Sequence, residues 1–427
     1  MFLKVYKIII NFVKTAEFTG LSNPLMNMKV TDIAHLCGYF STTVSDFEKE
    51  IASDGFWTSC QQDASTVESC KSYYFPEFVD LCMVEVKTYR HECNQTIQVQ
   101  MRDGSLKPAV LTDLQVSLCP FGIVLYSIGL RQDEVLMADS FHVLLSARML
   151  ISLKGDSDFE KYAVAPLDAL RIKAGAEKLL ESGNKYKIFH TVVADSKFVG
   201  QQEFDKLLFS AGTMSMYDEN DEMSFCKSYF DSIISEGRLS VFRNWSALSL
   251  LDTYTILAFQ PKEFMLNSWE NDYFTKLYQY SLFRKFFLFR LNDRFRSNPL
   301  SIKGLMDELE SFIGKYSFPM VSYNFLPELV AKSMEIGLDI EEEKEKITMM
   351  VTREKERKEL EVNDRMNLFL GAISFLTLFS AIWDFGCLVA GMNFFGDGTE
   401  VQVLRACTML IVGVLCLIAL KIKRGKK

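Results

Sequence analysis

The pattern of hydrophobic and polar positions changes character along this chain. Through residues 1–260 it is mixed. Phe78 to Tyr89, Thr96 to Met101 and Val116 to Leu130 alternate as half-buried strands do, with Asp103-Gly104 as a turn signal. Asp133 to Leu150 and Pro166 to Glu181 carry helical spacing. Asn267 to Arg294 predicts a strongly aromatic core helix, with Arg284, Lys285, Arg290 and Arg294 spread among the rings. Asn298-Pro299 ends it, a helix over Ile302 to Ile313 follows, and then a loop at Phe318-Pro319. Gly337-Leu338-Asp339 reads as a helix stop and restart, with Asp339 as N-cap and Glu342 at the capping-box position. From Ile340 to Ala390 there is no proline, and the two glycines are Gly371 and Gly386. That predicts one helix of about 51 residues, roughly 76 Å long.

The last third is different. Met366 to Ala390 holds a single charge, Asp384, and is long enough to cross a bilayer with some tilt. Val403 to Leu420 is a second, minimal span, and Phe394 to Gln402 between them is short and acidic, with Asp397 and Glu400. Steps of three and four residues along the first span collect Asn367, Leu370, Ser374, Thr377, Ala381, Asp384, Leu388 and Gly391 on one stripe. Nearly every polar residue of the span lies on it. An ionisable side chain at membrane depth is costly and belongs on a bundle interior or a wet cavity, so the stripe predicts a pore-lining face. The alternative is that Ser374 and Thr377 bond back to their own backbone while Asp384 sits at the interface. The second span has no such stripe and suits an outer ring facing lipid.

Charge gives the orientation. Arg353, Lys355, Arg357, Lys358 and Arg365 precede the first span, and Lys421, Lys423, Arg424, Lys426 and Lys427 follow the second. Both ends are therefore expected in the cytosol and the loop outside. One pore helix per chain cannot enclose a channel, so a homo-oligomer with the pore on its symmetry axis is expected.

The bulk numbers fit a large soluble part joined to a small membrane part: 48% hydrophobic with 24% charged residues is unlike a polytopic transporter. A net charge of −8 argues against direct nucleic-acid binding, which needs clustered positive surface. The ten cysteines form no CxxC pair, and His91-Glu92-Cys93 has no second pair at zinc spacing, so reduced buried thiols are expected. Met1 to Val13 has an apolar core at Ile8-Ile9-Ile10, too short for a signal peptide and without a cleavage site; it reads as a strand or short helix of the folded domain. Asp218-Glu219-Asn220-Asp221-Glu222 is most simply a solvated loop, with Asp218 and Asp221 as a weak candidate regulatory Mg²⁺ site. No Walker loop, GxSxG or HExxH is present and the four histidines are unclustered, so no enzyme is expected.

Gly391-Met392-Asn393 closes the first apolar run, ahead of the short loop, the second run and the basic tail. That arrangement resembles the CorA family of divalent-cation channels. The resemblance covers roughly the last third of the chain and implies an α+β cytosolic domain joined by a long stalk helix to a two-helix transmembrane hairpin, assembled as a homopentameric funnel in a bacterial inner membrane. Its divisions would be residues 1–300, a stalk at 301–365, the pore helix at 366–393, the loop at 394–402, the second helix at 403–421 and the tail at 422–427. It implies that Asn393 holds a hydrated Mg²⁺ through its waters, that Gly391 permits close packing, and that Asn367 lines the inner pore. Mg²⁺ dehydrates reluctantly, which fits recognition of an intact water shell. Two departures stand out: Ala390 occupies the place of the family's common tyrosine, and Asp384 adds a negative ring. With Phe325 to Leu329 and Ile336 to Asp339, they resemble a divergent branch, some members of which are linked to type III CRISPR defence. That branch implies a soluble domain sensing a nucleotide second messenger, such as an S-adenosylmethionine–AMP conjugate, and a channel that injures the membrane of an infected cell. A non-conducting membrane scaffold is the third class.

Overall fold

A computed structural model describes residues 28–389, apart from residues 43, 45–46, 102–103, 149–156, 177–178, 180–184, 195, 197–199, 271–272 and 298–301. Two compact units divide between Thr348 and Met349.

The first unit is built on a mixed nine-stranded sheet. Its strands are β1 (Lys29–Ser41), β2 (Thr58–Ser59), β3 (Lys87–Gln100), β4 (Leu106–Cys119), β5 (Ile123–Leu136), β6 (Lys187–Ala194), β7 (Arg238–Leu239), β8 (Trp245–Ser249) and β9 (Thr253–Phe259). Their order is β2-β3-β4-β5-β1-β6-β9-β8-β7, and the pairing of β6 with β9 is parallel. The helices are α1 (Phe47–Ser53), α2 (Ala64–Cys70), α3 (Pro76–Val79), α4 (Met137–Arg148), α5 (Ala165–Lys173), α6 (Gln201–Thr213), α7 (Lys227–Gly237), α8 (Glu263–Glu270), α9 (Tyr273–Ser297), α10 (Ile302–Tyr316), α11 (Phe325–Gly337) and α12 (Ile340–Val389).

Side-chain alternation on β1 assigns the two faces. Val30, Ala34, Leu36 and Phe40 join the main core with Phe141 and Leu144 of α4 and Phe204 and Leu207 of α6. Tyr39, on the opposite face, stacks on Phe286 of α9 with centroids 4.1 Å apart. The sheet is thus covered on both sides, which is why Ile188, Phe189, Val192 and all of β8 and β9 are buried.

α9 is covered over most of its length, charged positions included. Phe283, Phe286, Phe287 and Leu288 are buried, and Phe287 stacks on Phe312 of α10 at 3.8 Å. Four of its cations are paired, the buried Arg284 and Lys285 among them, as burial requires. Arg284 reaches Glu335 at 2.8 Å and Glu341 at 2.7 Å, Lys285 meets Glu343, and Arg290 and Arg294 share Glu308.

The predicted strands differ from the observed ones in three places. Phe78 to Glu85 is helical, since Pro76 opens α3 and a wide π-type turn over Asp80–Glu85 carries the chain to β3. Val116 to Leu130 is two strands, folded back at Pro120–Gly122, where Phe121 (φ 60) and Gly122 (φ 70) are left-handed. β5 runs on to Leu136, and α4 begins at Met137, four residues later than the helix expected from Asp133. The turn between β3 and β4 falls where expected: Met101 N–H donates to Ser105 and Gly104 N–H to Met101.

The break after Gly337 holds, with a different cap from the one expected. Asp339 lies in the left-handed region at φ 52, closing α11 through its N–H to Ile336, and Glu342 accepts from Lys346 instead of turning back. Gly337 itself is required: a Cβ there would lie 2.1 Å from Ser249 Oγ.

Candidate functional site

Two regions carry the functional signals. The first is a cavity of about 220 Å³ between the β1–β3–β4–β5 face and α9. Paired irregularities build it. β4 bulges between Leu111 and Leu114, opposite Gly129 of β5, and β3 shifts register between Glu92 and Gln95, where Asn94 takes φ 46. Such bulges re-aim side chains. Here Asp113 turns over Gly129, where a Cβ would lie 2.2 Å from Asp113 Oδ1. The buried Asp113 carboxylate accepts from Arg90 Nε at 2.8 Å and from Thr112 Oγ1 at 2.9 Å.

His35, paired with Gly129 across β1 and β5, also faces the cavity. Its Nε2 is buried without a hydrogen-bond partner, and burial lowers its pKa, so the ring is neutral at pH 7. Glu270 at the end of α8 leaves Oε1 buried and unpartnered. Burial pushes its carboxyl up to about 7, with Arg131 drawing it partly back. Lys276, Tyr278 and Gln279 of α9 close the far wall. Burial raises the thiols of Cys37 and Cys60, the former to about 12, so both are protonated and poor nucleophiles at neutral pH. The groups present suit holding a polar molecule.

A second polar cluster is sealed. His190 contacts Asp32 at 3.2 Å through Nδ1 and Thr255 Oγ1 at 2.7 Å through Nε2. Ser140 Oγ donates to Asp32 at 2.5 Å, and Gln132 Nε2 donates to Ser140 Oγ. The order Asp–His–Thr is that of a nucleophilic triad, but each member is 0–1% exposed and none lines the cavity. It fastens β1, β5, β6, β9 and α4 together.

The second region is the later part of α12. Among the described residues this is the one helix long and apolar enough to cross a membrane, and none of its apolar stretch is buried. Phe369, Leu370, Phe375, Leu376, Leu378 and Phe385 are exposed. So are Asn367, Ser374, Thr377, Ala381 and Asp384 of the predicted stripe. Thr377 Oγ1 also donates to the Ser374 carbonyl at 2.9 Å, the local bond that the alternative reading of the stripe expects. Leu388 belongs to the helix backbone. Gly391, Met392, Asn393, Asp397, Glu400, the second apolar run and Met1 to Val13 lie outside the described residues.

Asp218 and Asp221 use their carboxylates locally, accepting from the backbone N–H groups of Asn220 and Met223 at 2.9 Å each, while Glu219 pairs with Lys206. Among the described residues no three His, Cys, Asp or Glu side chains gather as a metal site. His91 stacks on Phe56 at 3.6 Å and bonds its carbonyl through Nδ1, and the described cysteines are free.

Sequence reasoning missed the cavity. Its residues come from five strands and two helices, and each polar one alternates with core residues in an ordinary way. The legible signals were small: Asn94 inside an alternating strand, and Gly129 with Ser127 in a run, Val124 to Leu130, whose other residues are bulky.

No family profile, characterised protein or solved structure matches the chain.

Proposed function

We propose that this protein is a CorA-like cation channel, passing Mg²⁺ or other divalent cations through an axial pore formed by several copies of the α12 stripe. One observation carries the reading: the apolar part of α12 is uncovered along its length, yet its polar residues, Ser380 apart, share one face ending at Asp384. Lipid covers apolar faces well and an ion path accounts for the polar one. The hairpin, the Gly391-Met392-Asn393 mouth, the pentamer and cytosolic termini in a bacterial inner membrane belong to the same proposal.

Gating by the soluble unit is part of it. α9 lines the cavity with Lys276 and Gln279, and a turn later its Arg284 and Lys285 hold Glu341 and Glu343 in the first turn of α12. A molecule that favours one arrangement of α9 would therefore bias the start of the helix that continues to the apolar segment. That link supports gating through the soluble unit, in a housekeeping transporter gated by cytosolic Mg²⁺ as in a ligand-opened effector.

The test is Mg²⁺ flux into proteoliposomes carrying the full chain. Asn393→Ala is expected to abolish selective Mg²⁺ entry while leaving the oligomer intact by native mass spectrometry, and Asp384→Asn to reduce conductance. Undiminished selective flux in Asn393→Ala, or a monomer in detergent, would end the channel reading.

A further inference from the structure

We propose that the cavity between the sheet and α9 binds a small zwitterion, a molecule of amino-acid size whose ammonium lies on Glu270 and whose acid group lies toward Lys276 and Arg90. Size comes first. At about 220 Å³ the cavity falls below the 300–1,000 Å³ typical of sites for drug-sized ligands, and it cannot take a peptide or a nucleic-acid strand.

The polar layout comes second. Glu270 Oε1 and His35 Nε2 are buried atoms on the cavity wall with no hydrogen-bond partner. Leaving such groups unpaired is costly, and sites that are occupied are where the cost is recovered. Glu270 feels Arg131 as its charged neighbour, and Arg131 already pairs with Asp133 at 2.8 Å. A ligand ammonium would supply the missing counter-charge, and the carboxyl held at about 7 would ionise to meet it.

Charge separation comes third. Lys276 and Arg90 both line the cavity and both act on Cys60, against Asp113 and Glu92, whereas the charged neighbour of Glu270 is Arg131, so the two cations lie apart from the Glu270 end. Arg90 spends Nε on Asp113 and keeps its side chain 38% exposed, and Lys276 is half-buried. An anionic group belongs there. Neutral His35, lining the wall between β3 and β6, can donate or accept a hydrogen bond to the ligand body. The inference stands without the channel reading, because it concerns binding to the first unit alone.

The experiment is thermal unfolding and calorimetric titration of the full chain in detergent. The probes are γ-aminobutyrate and L-glutamine, with putrescine as an amine lacking an acid and succinate as an acid lacking an amine. At least one zwitterion is expected to bind at millimolar concentration and raise the unfolding temperature, with putrescine and succinate at least about tenfold weaker. Glu270→Gln and Lys276→Gln should each weaken that binding about tenfold or more, while both ligand-free variants keep the cooperative transition of the parent. Absence of binding by both zwitterions overturns the proposal. So does equal binding of putrescine or succinate, or wild-type affinity in both variants.

Discussion

α9 and the second half of α12 are both long and rich in phenylalanine, yet they meet opposite surroundings. In α9 the rings are stacked and buried: Phe286 on Tyr39, Phe287 on Phe312. Four of its six cations reach carboxylates from α10, α11 and α12. In α12 Phe369, Phe375 and Phe385 are exposed, and Asp384 has no ion pair within the described residues. Richness in phenylalanine alone does not tell a core helix from a candidate membrane helix. What separates them is how the charges are handled. The core helix distributes cations that find partners on neighbouring elements; the uncovered helix gathers nearly all of its few polar groups on one stripe, as a helix crossing a membrane would.

The comparison can be broken most forcefully at the rings. Phe286→Ala removes a 1%-exposed side chain and is expected to cost about 3–5 kcal/mol in chemical unfolding of the first unit. Phe375→Ala should leave that transition unchanged within about 0.5 kcal/mol. Equal costs would mean that the apolar part of α12 is also core.

A charge on the uncovered surface comes next. Leu376→Arg places a cation off the polar stripe and should oppose membrane insertion by about 2.5–3.5 kcal/mol, read as a shift from the membrane fraction on flotation. Unchanged partitioning would argue that lipid does not cover this face.

The handling of buried charge is the third lever. Arg284→Ala leaves Glu335 and Glu341 without their shared cation. Both carboxylates keep some solvent access, so the loss should be about 2–4 kcal/mol rather than the full cost of an orphaned buried charge. Arg284→Met, tested beside it, would show how much of the loss is packing.

The smallest effect concerns Glu270. Its folded pKa of about 7 lies above the unfolded value near 4.3, so the folded chain binds this proton more tightly. The stability it contributes is fully present below about pH 4.3 and is lost as pH rises through 7. Glu270→Gln should therefore match the parent at pH 4 and exceed it by about 1–2 kcal/mol at pH 8, allowing for solvent screening. A gap that narrows with rising pH would contradict the buried, unpaired carboxyl.

Much of this architecture was legible in the residues. The long helix from Ile340, the break at Gly337 and most of the aromatic helix follow from runs without proline and from their flanking stops, although Asn267 and Trp269 belong to the separate α8 and the aromatic helix proper is Tyr273–Ser297. The apolar segment of α12 follows from composition over a length that few alternatives share. The strand between Phe78 and Tyr89 was misread because apolar residues at 78, 79, 81, 83, 84 and 86 fit either period, and Pro76 decides in favour of helix. The cavity was invisible for another reason. Asp113, His35 and Glu270 meet through two bulges and a helix end, and none of those contacts is local in sequence.

α9 also has a fixed phase. Gln279 faces the cavity and Arg284, five residues on, faces Glu335 and Glu341. Each residue added or removed between them would rotate one set by about 100° against the other. The stretch 279–284 can therefore drift in composition but not in length: a single-codon insertion there would misdirect both ends of the helix at once, while the same insertion in the 218–222 loop would pass with little effect.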